Sequence, residues 1–259
     1  MTSESREPPE AVRRWAERAT SLAAAACGNL AGSYLHGSAA LGGWQPGRSD
    51  VDLLLVTARD LAAARLGAVT KALFGATADC PGHALECSVV TAGQARRTEP
   101  PWPFLLHVAA SPRRARVVVG EGGPGDPDLL MHYAVCRAAG WTLHGPPPAQ
   151  VFGRVPRPQI LAYLAEELTW GLGHAPERYS VLNGSRALLY AHDGVICSKL
   201  DGGTLALDRG LGPPAVLRRA LRQQRGELPE QERPAADAVA FVESVIAALR
   251  AADPHQPAG

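Results

Sequence analysis

The chain has 259 residues, 46% of them hydrophobic, and its 26 basic and 25 acidic side chains leave a net charge of +1. That length supports one large or two modest globular domains without covalent staples, and the near-neutral charge argues against a nucleic-acid coat or a polybasic membrane binder. The five cysteines (Cys27, Cys80, Cys87, Cys136, Cys197) are scattered and never spaced Cys-x-x-Cys, the opening MTSESREPPE is polar, and no apolar run approaches the roughly 20 residues that cross a bilayer. A cytoplasmic protein with reduced thiols, no zinc site, no membrane segment and no nucleic-acid partner is expected, with monomer as the default.

In chain order, Pro9 opens a helix that sets Val12, Trp15, Ala19 and Leu22 on roughly one face. A short strand follows at 33–35, then a Gly/Pro-rich loop, then a strand at 51–56. Residues 60–74 read as a helix, and 84–91 and 115–119 as strands. A helix over about 129–143 stops at the GPPP of 145–148. Beyond Pro156 and Pro158 the pattern turns wholly helical: QILAYLAEELTWGL, RYSVLNGSRALLYAHDG, AVLRRALRQQ and ERPAADAVAFVESVIAALRAA. The expected class is α+β, with a mixed sheet flanked by helices over 1–155 and an all-α helical bundle over 156–259. The tail DPHQPAG is expected to be disordered.

Chemistry concentrates in YLHGSAALGGWQPGRSDVDLLLV, residues 34–56. Side chains alternate across a strand, so Asp50 and Asp52 share a face while Val51 and Leu53 take the other. Two adjacent carboxylates repel unless a cation lies between them. Mg²⁺ suits such a pair, taking hard oxygens from one or two carboxylates and from substrate phosphates. Gly37 lets backbone approach a ligand, and Ser38 offers an amide and a hydroxyl to phosphate oxygens. A bare Asp-x-Asp equally fits a turn whose aspartates cap a loop. Glu86, amid the apolar HALECSVV, needs a reason to be there, because burying an unpaired charge is costly. An edge-strand glutamate facing water is the alternative.

Gly37-Ser38, then eleven intervening residues and Asp50-Val51-Asp52 at the head of a hydrophobic strand, resembles the signature of the DNA polymerase β-like nucleotidyltransferases. LECSVV at 85–90, Pro101-Trp102, DPDL at 126–129, GPP at 145–147 and ERYSVLNGSRALLY at 177–190 extend the likeness. Together they resemble the aminoglycoside 3''-adenylyltransferases, the streptomycin and spectinomycin resistance enzymes. The resemblance spans nearly the whole chain and is sparse outside the first ninety residues.

The resemblance implies transfer of AMP from Mg·ATP to a hydroxyl of a small antibiotic, in a cleft between the two domains, with release of pyrophosphate. Gly37, Ser38 and Ser49 would contact the triphosphate. Asp50 and Asp52 would hold Mg²⁺, with Glu86 as third carboxylate and general base. Arg186 and Lys199 fall where the family places cationic phosphate contacts, and Lys199 is one of only two lysines, with Lys71. Glu166, Glu167 and Glu177 would attract a polycationic antibiotic, or merely form a solvated helix face.

Three departures bear on the acceptor. The Ser38–Asp50 loop is one residue longer than in the best-known members. The tryptophan that helps hold streptomycin beyond the third carboxylate is missing from FLLHVAASPRRAR (104–116). Pro176 replaces an aspartate expected before Glu177-Arg178. Trp102 or Trp44 would compensate unless they serve packing; His36, beside Gly37, reads as core or rim. Alternatives are a nucleotidyltransferase with another hydroxyl acceptor, a non-catalytic nucleotide-binding module of the same fold, and a polymerase relative, the last disfavoured by the missing basic surface.

Overall fold

The computed structural model describes residues 7–120 and 122–252; the MTSESR opening and the DPHQPAG tail lie outside the described residues. Among these, six strands build one mixed sheet: β1 (Leu30–Leu35), β2 (Val51–Thr57), β3 (Leu85–Thr91), β4 (Leu106–Ser111), β5 (Arg114–Val119) and β6 (Trp141–His144). Their spatial order is β5-β4-β3-β2-β1-β6. β2 and β3 run parallel, and every other neighbouring pair is antiparallel.

Period-two alternation explains the layering. Val51, Leu53 and Leu55, Leu85, Cys87 and Val89, and Leu106, Val108 and Ala110 share one face and a common core with α1 (Glu10–Cys27) and α3 (Ala63–Ala76). The Trp15 indole N–H donates to the Ala76 carbonyl at 2.9 Å, tying the two helices together. Leu22, expected on the buried face of α1, is 49% exposed. At 3.6 residues per turn it lies about 80° round the helix from Val12, and Ala23 takes its place. The other face is covered by aromatics. Tyr34 packs edge-on against Phe152 (5.1 Å between centroids), Phe152 stacks on Tyr133 (5.3 Å), and Trp102 meets Tyr133 edge-on (6.1 Å). Tyr133 comes from α5 (Asp128–Ala139).

Several sequence expectations shift. The helix expected over 129–143 ends at Ala139, because Gly140 turns extended (φ −59°, ψ 134°) and releases Trp141–His144 to pair with β1. β4 was not anticipated from sequence; its inward residues are separated by His107 and Ala109, which carry little strand signal. β1 starts at Leu30 rather than Ser33, and residues 37–40 of the expected loop form one helical turn, α2 (Gly37–Ala40).

A boundary between two compact units falls at Val155/Pro156. α4 (Ala92–Ala95) and α6 (Pro148–Val151) are single turns in the first unit. The second comprises α7 (Arg157–His174), α8 (Glu177–Asp193), α9 (Lys199–Asp208), α10 (Pro214–Arg225) and α11 (Ala236–Ala251). Leu161, Leu168, Val181, Leu182, Leu217 and Val245 form its core. α9 escaped the sequence reading because Gly202-Gly203 depresses helix propensity. Among the described residues no helix is long and apolar enough to cross a membrane, and all five cysteines are free.

Glu177 overturns its expected place on a solvated face. It is fully buried, and Arg219 grips it through Nε (2.6 Å) and Nη2 (3.2 Å) while the Ala235 amide donates to it at 2.9 Å. Arg219 also holds Asp237. The carboxylate thus joins α8 to α10 and to the start of α11 and is not available to a ligand. Replacing one partner of a buried pair typically costs about 3–5 kcal/mol. We expect Glu177→Ala to lose about 3 kcal/mol in urea denaturation, the low end because Arg219 keeps Asp237. A loss below about 1 kcal/mol, the range of exposed pairs, would contradict this role.

Candidate active site

β2 and β3 pair in the register Val51↔Leu85, Asp52↔Glu86, Leu53↔Cys87. Asp52 and Glu86 are therefore direct neighbours on the face opposite the α1/α3 core, on strands about 4.8 Å apart. The entry to β2 is fixed by backbone bonds to the entry of β3: His83 N–H to the Ser49 carbonyl (2.9 Å), and Val51 N–H to the Ala84 carbonyl (2.8 Å). Asp50 sits at this junction, half-buried, and its charge helps raise the Cys80 thiol above its ordinary range, after the larger effect of burial.

Gly37 explains the Gly-Ser pair. It has φ +58°, and a Cβ built on it would lie 1.9 Å from Asp52 Oδ2. Only a residue without a side chain lets this turn close over the carboxylate. The neighbouring His36 amide donates to the Asp52 carbonyl at 3.1 Å. The Ser38 hydroxyl is buried and has no hydrogen-bond partner among the described residues, a state that calls for a ligand or water. Ser49, expected at the triphosphate, accepts from the Gln45 amide at 3.0 Å and so closes its own loop; its hydroxyl proton remains available for donation.

Among the described residues no three His, Cys, Asp or Glu side chains form a ready-made metal cage. Asp50, Asp52 and Glu86 nevertheless supply the hard oxygens that Mg²⁺ prefers, beside an unsatisfied hydroxyl. They fit an ion that keeps waters and completes its shell with phosphate oxygens rather than one caged by protein.

In the helical unit, Arg186 lies on α8 with its Nη1 donating to Asn183 at 3.1 Å. Gly202 of α9 makes room for it, since a Cβ there would meet Arg186 Cγ at 2.6 Å. Lys199 opens α9 and holds its ammonium 4.5 Å from the centroid of the Tyr179 ring. Tyr179 donates its hydroxyl to Glu167. Trp170 on α7 is half-exposed and stacks on His174 (5.3 Å, 11°). Trp102 and Trp44 do not resemble it: the first is buried against Tyr133, and the second packs on the sheet core.

Residues 150–248 match the family model of the aminoglycoside adenylyltransferase C-terminal domain. That match takes in most of the helical unit. Arg186, Lys199, Tyr179 and Trp170 all lie within it. The whole chain is also similar in fold to spectinomycin adenyltransferase AAD(9) from Enterococcus faecialis, a structure with ATP and spectinomycin. The TM-score is 0.67 at 13% identity, covering 92% of this chain and 98% of that one. No curated protein matches the chain in sequence.

In the first unit, three histidines line the carboxylate face, and sequence reading gave only His36, as packing. The His36 and His132 rings lie 4.7 Å apart, and His107 Nδ1 shares a hydrogen with Ser88 Oγ at 3.0 Å, two residues along β3 from Glu86. Burial holds all three below the ordinary histidine range. His132 adds to this for His36 and His107 does so for His132, while Asp126 and Asp128 pull His107 and His132 back. No spacing rule finds such a cluster, because its members come from β1's end, β4 and α5.

Two outcomes follow. Below pH about 6.5 the unfolded chain takes up protons that the folded histidines refuse, so stability falls with pH, by up to about 1.4 kcal/mol per unit per histidine. Urea midpoints at pH 7.5, 6.5 and 5.5 should show this decline, and His132→Gln should flatten it; a flat wild-type profile would contradict the burial. Gly37→Ala should displace the Asp52 carboxylate and, with the strain of a positive φ, cost about 1–2 kcal/mol. Calorimetric titration with Mg·ATP should then show at least tenfold weaker binding, and unchanged affinity would mean the turn does not serve the carboxylate.

Proposed function

We propose that this protein transfers AMP from Mg·ATP to a hydroxyl of an aminoglycoside-type antibiotic, streptomycin or spectinomycin, releasing pyrophosphate. One observation carries the reading: Asp52 and Glu86 face each other on adjacent parallel strands beneath a glycine turn that only an unsubstituted backbone can make. The C-terminal domain match and the fold likeness support it. In this reading the unit ending at Val155 is the nucleotidyltransferase domain, and the helical unit contributes contacts to nucleotide and acceptor. The free thiols suit the cytoplasm.

Asp50 and Asp52, with Glu86 beside them, hold the magnesium ion. When bound, the ion offsets charge along the phosphates. Gly37 amide and the Ser38 and Ser49 hydroxyls donate to phosphate oxygens. Arg186 and Lys199 add cationic contacts. Lys199 occupies the first residue of a ten-residue helix, where the helix dipole disfavours a cation; an anion at that helix start, satisfied by both, relieves the conflict. Glu86, the more exposed carboxylate, accepts the proton of the attacking hydroxyl. That oxygen bonds to the α-phosphorus in line while the bond to the pyrophosphate oxygen breaks.

On the acceptor side, Trp170 offers a half-exposed ring with Glu166 one helical turn before it on the same face. A flat ring beside carboxylates suits a cationic cyclitol or sugar. The absence of tryptophan from residues 104–116 favours a second reading, in which the same chemistry serves a hydroxyl acceptor other than streptomycin.

Pyrophosphate release from Mg·ATP, measured with streptomycin, spectinomycin and unrelated hydroxyl compounds, tests both readings. Glu86→Gln should lower kcat by about 10²–10⁴, the usual contribution of a general base. Release with another acceptor alone would select the second reading. ATP binding without release on any acceptor would sink both.

A further inference from the structure

We propose that Tyr179 is a positioning residue whose ring face holds the Lys199 ammonium where it meets phosphate; this rests on the reading of Lys199 as a nucleotide contact. The geometry lies wholly within the helical unit. Lys199 Nζ stands 4.5 Å above the Tyr179 centroid. The ring is itself pinned on two sides: its hydroxyl donates to Glu167 of α7, and Trp170 meets it edge-on at 6.2 Å and 74°. Trp170 in turn rests on His174, whose Nδ1 lies 2.9 Å from the Trp170 carbonyl oxygen.

The chemistry favours this role. A lysine has a flexible four-carbon stem and three rotatable donors. An aromatic face draws the ammonium by its quadrupole and takes up only one side of it. A phenol that hydrogen-bonds to a carboxylate gains electron density on its ring, which strengthens the hold. Arg186 is held separately by Asn183, so the ring acts on one of the two cations and not on both.

The separation from an ordinary packing role comes from three substitutions and two readouts. Tyr179→Phe keeps the ring face and loses the Glu167 bond; Tyr179→Leu loses the face; Lys199→Met loses the ammonium. Calorimetry should give Mg·ATP dissociation constants within about twofold of wild type for Tyr179→Phe and about three- to tenfold weaker for Tyr179→Leu, the range of a partly exposed cation–π contact. In a Lys199→Met background, Tyr179→Leu should add nothing. With only Lys71 and Lys199 in the chain, ¹³C-dimethylated lysines give two side-chain resonances by NMR. The Lys199 signal should be shifted upfield by the ring in wild type and Tyr179→Phe and should return to the free-lysine position in Tyr179→Leu.

Equal weakening by Tyr179→Leu in both backgrounds, or no weakening in a folded protein, would overturn the proposal. Unchanged ATP affinity in Lys199→Met would instead overturn the nucleotide reading of Lys199. A melting curve checks that each variant folds. If Tyr179→Leu does not fold, Tyr179→Met keeps the volume without the ring and reads the same difference.

Discussion

The parallel pairing of β2 with β3 is the constraint on which the first unit depends. It sets a whole apolar stripe, Val51 and Leu53 with Leu85 and Cys87, into the core, and by the same register brings Asp52 opposite Glu86. A slip of one residue in either strand would turn that strand's carboxylate inward and its apolar stripe outward. Two like charges on adjacent strands repel by an amount on the order of a few kcal/mol at protein-surface dielectric. The site holds that arrangement because the core beneath it leaves the strands no other register.

The helical unit relies on rigidity of another kind. Its central helix, α8, carries Glu177 at its start, Tyr179 within its first turn, and Arg186 farther along. The ion pair to Arg219 fixes the start, and the two glycines of α9 bring that helix close enough for Arg186 and Leu182 to pack against it. Arg186 thus rides on a helix locked at one end by a buried charge and along one flank by backbone approach. Precision at such positions comes from packing and hydrogen bonds behind them rather than from the side chains themselves.

Much of the site was legible in sequence because its residues break local rules. Aspartates at the head of VDLLLV, and a glutamate within LECSVV, stand out against apolar runs, and Gly37 precedes them at a readable spacing. The sheet's middle strands were likewise plain from their alternation or continuous apolarity. β4 and β6 were not, since LHVAAS and WTLH are short and fall inside or beside stretches with helical patterning. The burial of Glu177 was invisible for a different reason: its partner Arg219 is 42 residues away, and nothing local distinguishes it from a surface glutamate. The histidine cluster shares that cause: it is a product of tertiary placement, which spacing along one chain does not encode.

The sheet's last strand in sequence lies against its first: β6 pairs with β1, and Tyr34 of β1 donates its hydroxyl to the carbonyl of Pro146. During synthesis, then, the flank of β1 stays open until residue 144 has left the ribosome. Throughout that interval the nascent chain shows a bare strand edge beside the loop that shapes Gly37 and Asp52. Changes in WTLH, far from the carboxylates, would therefore affect the yield of folded protein in the cell more than the chemistry of each folded molecule.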